Sequence, residues 1–266
     1  MNTSKSTGLL VDKLRVVRKG GPLLPTADAN PAPAGLEAAY RIADELVALE
    51  VARWGQVGGY KIGANNPAGQ QQLGLAEPFF GRVPTGRIVA SGAPLPLLPI
   101  GCTIEAEVGI RMAADLPSRS RPYVGDDIRR AVGGFLPLFE INRPSYAEPF
   151  QVGGLFLIAD NGVTQALVTG GAKSCEQVGP WSDEQVSLSR DATVCAESIV
   201  GARVGDPLDV LLWLANALSK RGAGLKQDDI VANGALTPPT PFAPGDRVLA
   251  RFSTLGEVGF VAGDWA

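Results

Sequence analysis

The residues best placed to do chemistry lie in the run Thr103-Ile104-Glu105-Ala106-Glu107-Val108-Gly109-Ile110. Read as a strand, its apolar side chains at 104, 106, 108 and 110 point to one face, and Glu105 and Glu107 leave the other with roots about 6.6 Å apart. Two carboxylates aimed at one point repel each other unless a proton or a cation lies between them. A divalent metal is the simplest answer, although Glu-x-Glu on the wet face of an edge strand needs no chemistry at all. A third acid, Glu140, ends the apolar run Phe135-Leu136-Pro137-Leu138-Phe139. A buried carboxylate there demands a partner, either a metal or an arginine such as Arg143. Glu105, Glu107 and Glu140 together could hold a hard cation, with waters or substrate oxygens completing six-coordination.

The chain has no histidine. Ser-His-Asp and Cys-His machinery is therefore excluded, as are zinc sites built on imidazole. Any acid or base must be Asp, Glu, Lys, Tyr or metal-bound water, and oxygen ligands favour Mg²⁺ or Mn²⁺. Lys61, framed by glycines in Gly58-Gly59-Tyr60-Lys61-Ile62-Gly63, is a candidate proton carrier whose pKa burial would lower; a solvent-facing lysine is the plainer reading. Asp160-Asn161-Gly162 could present a carboxylate at a strand end or form an ordinary turn. Asn233-Gly234-Ala235-Leu236-Thr237 could offer backbone N–H groups and a hydroxyl to a substrate carboxylate.

These side chains need a scaffold, and 266 residues suffice for one large domain or two small ones. Abundant Gly and Pro favour turns and short strands. The formal charge is -3 with no basic stripe, which argues against a nucleic acid partner. The apolar run Val210 to Ala215 is far too short to span a bilayer. Three cysteines without CxxC spacing favour a reducing cytoplasm over a disulfide framework. Met1 to Gly20 reads as a first helix or a loose arm. Helical spacing predicts a helix over Ala34 to Glu50 and a short one over Ala68 to Leu73. Another follows Gly125-Asp126-Asp127. The best-marked helix is capped by Asp206, with Pro207 at its first position and Gly222 at its end. Strands are expected at Gly58 to Gly63, Phe135 to Ile141, Leu155 to Ala159, Ala166 to Thr169 and Arg247 to Phe252. The Pro-rich stretch Pro94 to Pro99 is expected to be extended. The boundary falls at the start of the region Ile88 to Pro99: a smaller helical and strand region over 1–87 carries Lys61, and the metal-binding catalytic domain spans 88–266.

Several blocks, in order from about residue 36 onward, resemble the 2-keto-4-pentenoate hydratases. They are Gly59-Tyr60-Lys61-Ile62-Gly63, Gln70-Gln71-Gln72-Leu73-Gly74, Glu77-Pro78, Ile104-Glu105-Ala106-Glu107 and Phe139-Glu140-Ile141. Ile158-Ala159-Asp160-Asn161, Gly205-Asp206-Pro207-Leu208, Trp213 to Asn216, Gly234-Ala235-Leu236-Thr237 and Pro244 to Val248 continue the series. Together they are similar to the hydratase and 2-oxo acid decarboxylase branch of the fumarylacetoacetate hydrolase superfamily. The resemblance implies an α+β fold with a mixed β-roll core and a small helical N-terminal part. It implies Mg²⁺ or Mn²⁺ on Glu105, Glu107 and Glu140, catalytic Lys61, and substrate contacts from Asp160, Asn161, Leu236 and Thr237. The implied reaction, in aromatic compound catabolism, is hydration of a small 2-hydroxy-2,4-dienoate. Decarboxylation of a 2-oxo-3-enedioate is the alternative, and a catalytically silent subunit of a hydratase or decarboxylase partner is a third reading. A homo-oligomer is expected. Where relatives read Asp-Glu-Pro-Asp-Phe-Gly, this chain has Ala76-Glu77-Pro78-Phe79-Phe80-Gly81, which leaves Glu77 as the remaining acid for proton transfer. Arg143 stands where relatives often carry an aspartate.

Overall fold

In the computed structural model, residues 3–28, 32–95 and 101–263 are described. Their helices are α1 (Thr3–Arg18), α2 (Leu36–Trp54), α3 (Pro67–Leu73), α4 (Gly125–Ala131), α5 (Pro149–Val152), α6 (Gly154–Ala159), α7 (Val200–Val204) and α8 (Pro207–Lys220). The strands are β1 (Val57–Gly63), β2 (Phe79–Pro84), β3 (Ile88–Ala90), β4 (Thr103–Met112), β5 (Val132–Asn142), β6 (Thr164–Thr169), β7 (Gln185–Arg190), β8 (Thr193–Ile199), β9 (Ile230–Ala232), β10 (Thr240–Pro241), β11 (Arg247–Phe252) and β12 (Gly256–Val261).

Two sheets organise the chain. The larger runs β2-β1-β9-β4-β5-β6-β3, with β10 also on β4; the smaller runs β12-β11-β7-β8. In the larger sheet β1 and β9 are parallel, as are β3 and β6, while the β9-β4-β5-β6 pairs are antiparallel. This is an α+β fold with mixed sheets. Strands β1 and β2, from the first 87 residues, are hydrogen-bonded members of the same sheet as β4 and β5. Lys61 thereby shares a sheet with the glutamates.

The centre of the sheet is the long β4–β5 pair. Ile104, Ala106, Val108 and Ile110 are fully buried on one face of β4, against the main apolar core. The other face carries a smaller apolar cluster of Val83, Leu136, Leu138, Leu167 and Ala232. Both faces of the central strands are thus covered, and Glu107 and Glu140 have no wet side to face. Phe139 on β5 meets Phe260 on β12 edge-to-face, with ring centroids 5.8 Å apart, which joins the two sheets.

Most expected elements form. Asp206 caps α8 by accepting from the Leu208 N–H at 2.9 Å, with Pro207 at the first position. Leu155 to Ala159 is a correction: the run is helical, not a strand. Phe156, Leu157, Ile158 and Ala159 are buried on every side, and the Asp160 N–H closes the turn onto the Phe156 carbonyl at 2.9 Å. A short run buried all round lacks the alternation that distinguishes a strand. Of the Pro-rich stretch, 96–99 lie outside the described residues. No helix among the described residues is long and apolar enough to cross a membrane.

Candidate active site

Strand register brings the acids together. Glu105 on β4 lies directly opposite Glu140 on β5, and Glu107 is two residues further along the same face. Like charges placed opposite each other destabilise a sheet unless something neutralises them. One carboxylate oxygen from each of Glu105, Glu107 and Glu140 lies within 4.8 Å of the others. Glu107 and Glu140 are buried and Glu105 is partly so. Lys61 reaches the cluster from β1. It pairs with Ala232 on β9, which pairs with Gly109 on β4, so its side chain leaves the same face as the glutamates. Its ammonium, 5% exposed, lies 3.1 Å from Glu140 Oε1.

Charge and burial oppose each other here. Burial raises the Glu105 pKa to about 7, aided by the charge of Glu140; Lys61 and a hydrogen bond from Asn142 pull it back. Glu107 is raised well above the ordinary carboxylate range by burial and then by Glu140 and Glu105. Burial alone would lower the Lys61 pKa, as expected from the sequence. The charges of Glu140, Glu105 and Glu107 outweigh it, and the net shift is upward. The expectation of a lowered lysine is therefore corrected for the metal-free protein.

The donor set fits a hard divalent cation. It consists of carboxylate oxygens, and Glu107 shows an oxygen waiting for a partner: Oε2 accepts from the Gly234 N–H at 2.7 Å, while buried Oε1 accepts no hydrogen bond among the described residues.

Glycines make the space for Lys61. A Cβ at Gly162, whose φ is +68°, would come within 2.8 Å of Lys61 Cδ. One at Gly63 would strike the Phe79 ring at 2.3 Å. Phe79 lays its ring 5.5 Å from the Lys61 ammonium. The lysine is thus held between a carboxylate and an aromatic face.

The other candidates divide. Thr237 is beside the cluster: its Oγ1 accepts from the Ala106 N–H at 3.0 Å, between the two glutamates of β4, and its hydroxyl proton remains available. Leu236 donates its N–H to the Ala106 carbonyl, but its side chain is buried in the main core. Asp160 and Asn161 tie neighbouring elements together. Asp160 binds Arg18 and the Ser145 N–H, both at about the length of a strong hydrogen bond, 3.0 and 2.9 Å. Asn161 grips Arg82 of β2 through both amide atoms, each at 2.8 Å. Glu77 is exposed and lines a pocket of about 650 Å³ with Tyr40, Phe80, Arg82 and Trp213. Phe80 alternates with Phe79 on β2, so that pocket opens on the sheet face opposite Lys61. Arg143 donates to the carbonyls of Val17 and Gly21, fastening the end of α1. Cys102 is buried, which pushes its thiol up to about 12 and leaves it inert as a nucleophile.

The 2-keto-4-pentenoate hydratase 1 of Dechloromonas aromatica (strain RCB) is 31% identical to this chain over 240 residues, covering 84% of each. The chain belongs to the hydratase and decarboxylase branch of the fumarylacetoacetate hydrolase superfamily. Membership of this branch also extends to decarboxylases: the 4-oxalocrotonate decarboxylase of Pseudomonas putida is 27% identical over 226 residues, 83% of each chain. The solved 4-oxalocrotonate decarboxylase from Pseudomonas putida G7, complexed with magnesium and adipate, shares the fold at a TM-score of 0.84 and 23% identity, covering 98% of this chain and 99% of that one. No family model matches the sequence.

Sequence reasoning missed Asn142, which holds Glu105; the Gly234 N–H, expected to face a substrate carboxylate, holds Glu107. Asn142 carried a legible signal, since it falls two residues after Glu140 on the same strand face.

Proposed function

We propose that this protein is a divalent-metal-dependent lyase that hydrates a small 2-hydroxy-2,4-dienoate to a 4-hydroxy-2-oxo acid. The observation that carries the reading is the convergence of Glu105, Glu107, Glu140 and Lys61 on one buried sheet face. Glu105, Glu107 and Glu140 would hold Mg²⁺ or Mn²⁺. When bound, the cation supplies Lewis-acid stabilisation to negative charge developing on the substrate's carboxylate and C2 oxygen. Lys61 holds a proton at Nζ within the closed face, in position to deliver it to substrate carbon during ketonisation. Phe79 and the Gly162 turn restrict how that ammonium moves. Thr237 offers its hydroxyl proton to a substrate oxygen. Glu77 takes no part in this scheme because it faces the other side of the sheet. A reducing cytoplasm and a homo-oligomer belong to the same proposal.

The test is Glu107→Gln. It should remove metal-dependent consumption of 2-hydroxypenta-2,4-dienoate, followed by ultraviolet absorbance, while circular dichroism stays unchanged. Full activity in that variant would exclude the metal assignment.

Phe79 favours a second reading, decarboxylation of a 2-oxo-3-enedioate. That reaction needs the same chelation but no attacking water, and a phenyl ring beside Lys61 offers no base to activate one. Carbon dioxide release from such a substrate, without hydration of the dienoate, would select it. If this fork is right, Phe79→Asp should move product from decarboxylation towards hydration. Silence on both substrates, with activity only after mixing with a hydratase or decarboxylase, would mark a partner subunit.

A further inference from the structure

The cluster contains polar atoms that a cation on three glutamates leaves unexplained. Asn142 follows Glu140 by two residues on β5 and is only 5% exposed. Its Nδ2 donates to Glu105 Oε2 at 2.7 Å. A carboxylate that ligates a metal is ionised and can only accept, so the amide nitrogen is the atom that faces Glu105. Oδ1 then points elsewhere, buried, and accepts no hydrogen bond among the described residues. On the neighbouring strand Asn142 pairs with Thr164, which is 3% exposed. Thr164 Oγ1 is also buried without a hydrogen-bond partner among the described residues. A bulge that skips Gln165 sets this pairing, and Thr164 is the β6 residue opposite Asn142. Two adjacent buried polar atoms that do not satisfy each other call for a common third group. The amide oxygen demands a donor, while the threonine hydroxyl takes either role. A hydroxyl meets both requirements.

We infer that Asn142 is a positioning residue for Glu105, and that Asn142 Oδ1 with Thr164 Oγ1 forms a subsite for a hydroxyl group of the bound hydroxy-oxo acid. The inference rests on the reading of Glu105 as a metal ligand. It places the hydroxylated end of the ligand on the β5–β6 side of the cluster.

Binding measurements test it. Mn²⁺ is titrated calorimetrically into the unmodified protein, Asn142→Leu and Thr164→Val. Each Mn²⁺-loaded protein is then titrated with 2-oxopentanoate and with 4-hydroxy-2-oxopentanoate. Asn142→Leu should weaken Mn²⁺ binding about 10–100-fold, as expected when a ligand loses the group that orients it. The unmodified protein should prefer the hydroxylated acid by about tenfold, the size of one hydrogen bond. Thr164→Val should keep Mn²⁺ and 2-oxopentanoate affinity and lose that preference. Equal binding of the two acids by the unmodified protein would overturn the subsite and leave the chelation reading standing. Unchanged Mn²⁺ affinity in Asn142→Leu would overturn the positioning role. Failure of the unmodified protein to bind Mn²⁺ would overturn the chelation reading and this inference with it.

Discussion

Lys61 shows how much a single side chain owes to its surroundings. Its ammonium is enclosed, yet it stays charged because the Glu140 carboxylate lies 3.1 Å away and Glu105 and Glu107 lie behind it. Removing the charge has opposite effects on the two halves of the site. Lys61→Met should lower turnover by about 10²–10⁴-fold, the usual contribution of a positioned acid or base. The same change deletes a cation from the carboxylate cluster, so Mn²⁺ should bind as well as before or more tightly, measured by calorimetry. A variant that lost Mn²⁺ binding along with turnover would mean that Lys61 holds the cluster together instead of serving it. Asp160 is a different kind of buried acid. Arg18 and the Ser145 N–H satisfy it, and it joins α1 to the loop after α6. Arg18→Met should destabilise the fold by about 3–5 kcal/mol in denaturant titration, because it strands a buried carboxylate.

At the scale of elements, β4 and β5 do most of the positioning. Their register puts Glu105 opposite Glu140, and a slip of one residue would turn every acid to the other face. The segment after β9 runs beside β4 and fixes it from the side, through Gly234 to Glu107, Leu236 to the Ala106 carbonyl and Thr237 to the Ala106 N–H. The turn at Gly162 is equally constrained, because its left-handed backbone and missing side chain leave room for Lys61. Gly162→Ala should therefore lower kcat more than it lowers stability, since the methyl group meets the lysine stem. Equal activity with a full-length lysine displaced in a crystal structure would contradict that placement. By contrast, α8 is distant machinery: Asp206→Ala should cost about 0.5–2 kcal/mol through loss of its cap, with kcat unaffected.

For the whole molecule, the carboxylate cluster links stability, pH and metal. Without metal, the folded state binds protons more tightly than the unfolded chain, since Glu105 is raised to about 7 and Glu107 is raised well above the ordinary carboxylate range. A carboxylic acid raised in this way contributes stability that is present below its unfolded pKa and is lost as pH rises through the folded value. The melting temperature of metal-free protein should thus carry a component that falls between about pH 4.5 and 7. Added Mg²⁺ or Mn²⁺ should reverse the loss, with a gain that grows with pH as the ligands deprotonate. A metal-induced rise in melting temperature that was equal at pH 5 and pH 8 would count against the cluster as the binding site. Light scattering measures the expected homo-oligomer directly.

The sequence by itself determined the chemistry on offer. Without histidine it left acid and base work to Asp, Glu, Lys, Tyr or metal-bound water, and the two-residue period in Ile104 to Ile110 marked Glu105 and Glu107 as neighbours on one face. Alternation, capping by Asp206 and glycine framing are local properties, so they could be read along the chain. Only the tertiary structure decided which distant residues meet. It brought Lys61 from β1 to Glu140 on β5, sent Glu77 to the opposite side of the sheet, and gave Asp160 and Asn161 to Arg18 and Arg82. It also made a helix of Leu155 to Ala159, because a short run buried on all sides carries no period to read. The pairing of Asn142 with both Glu105 and Thr164 depends on strand order and register, which are set by packing across the whole sheet and by no segment alone.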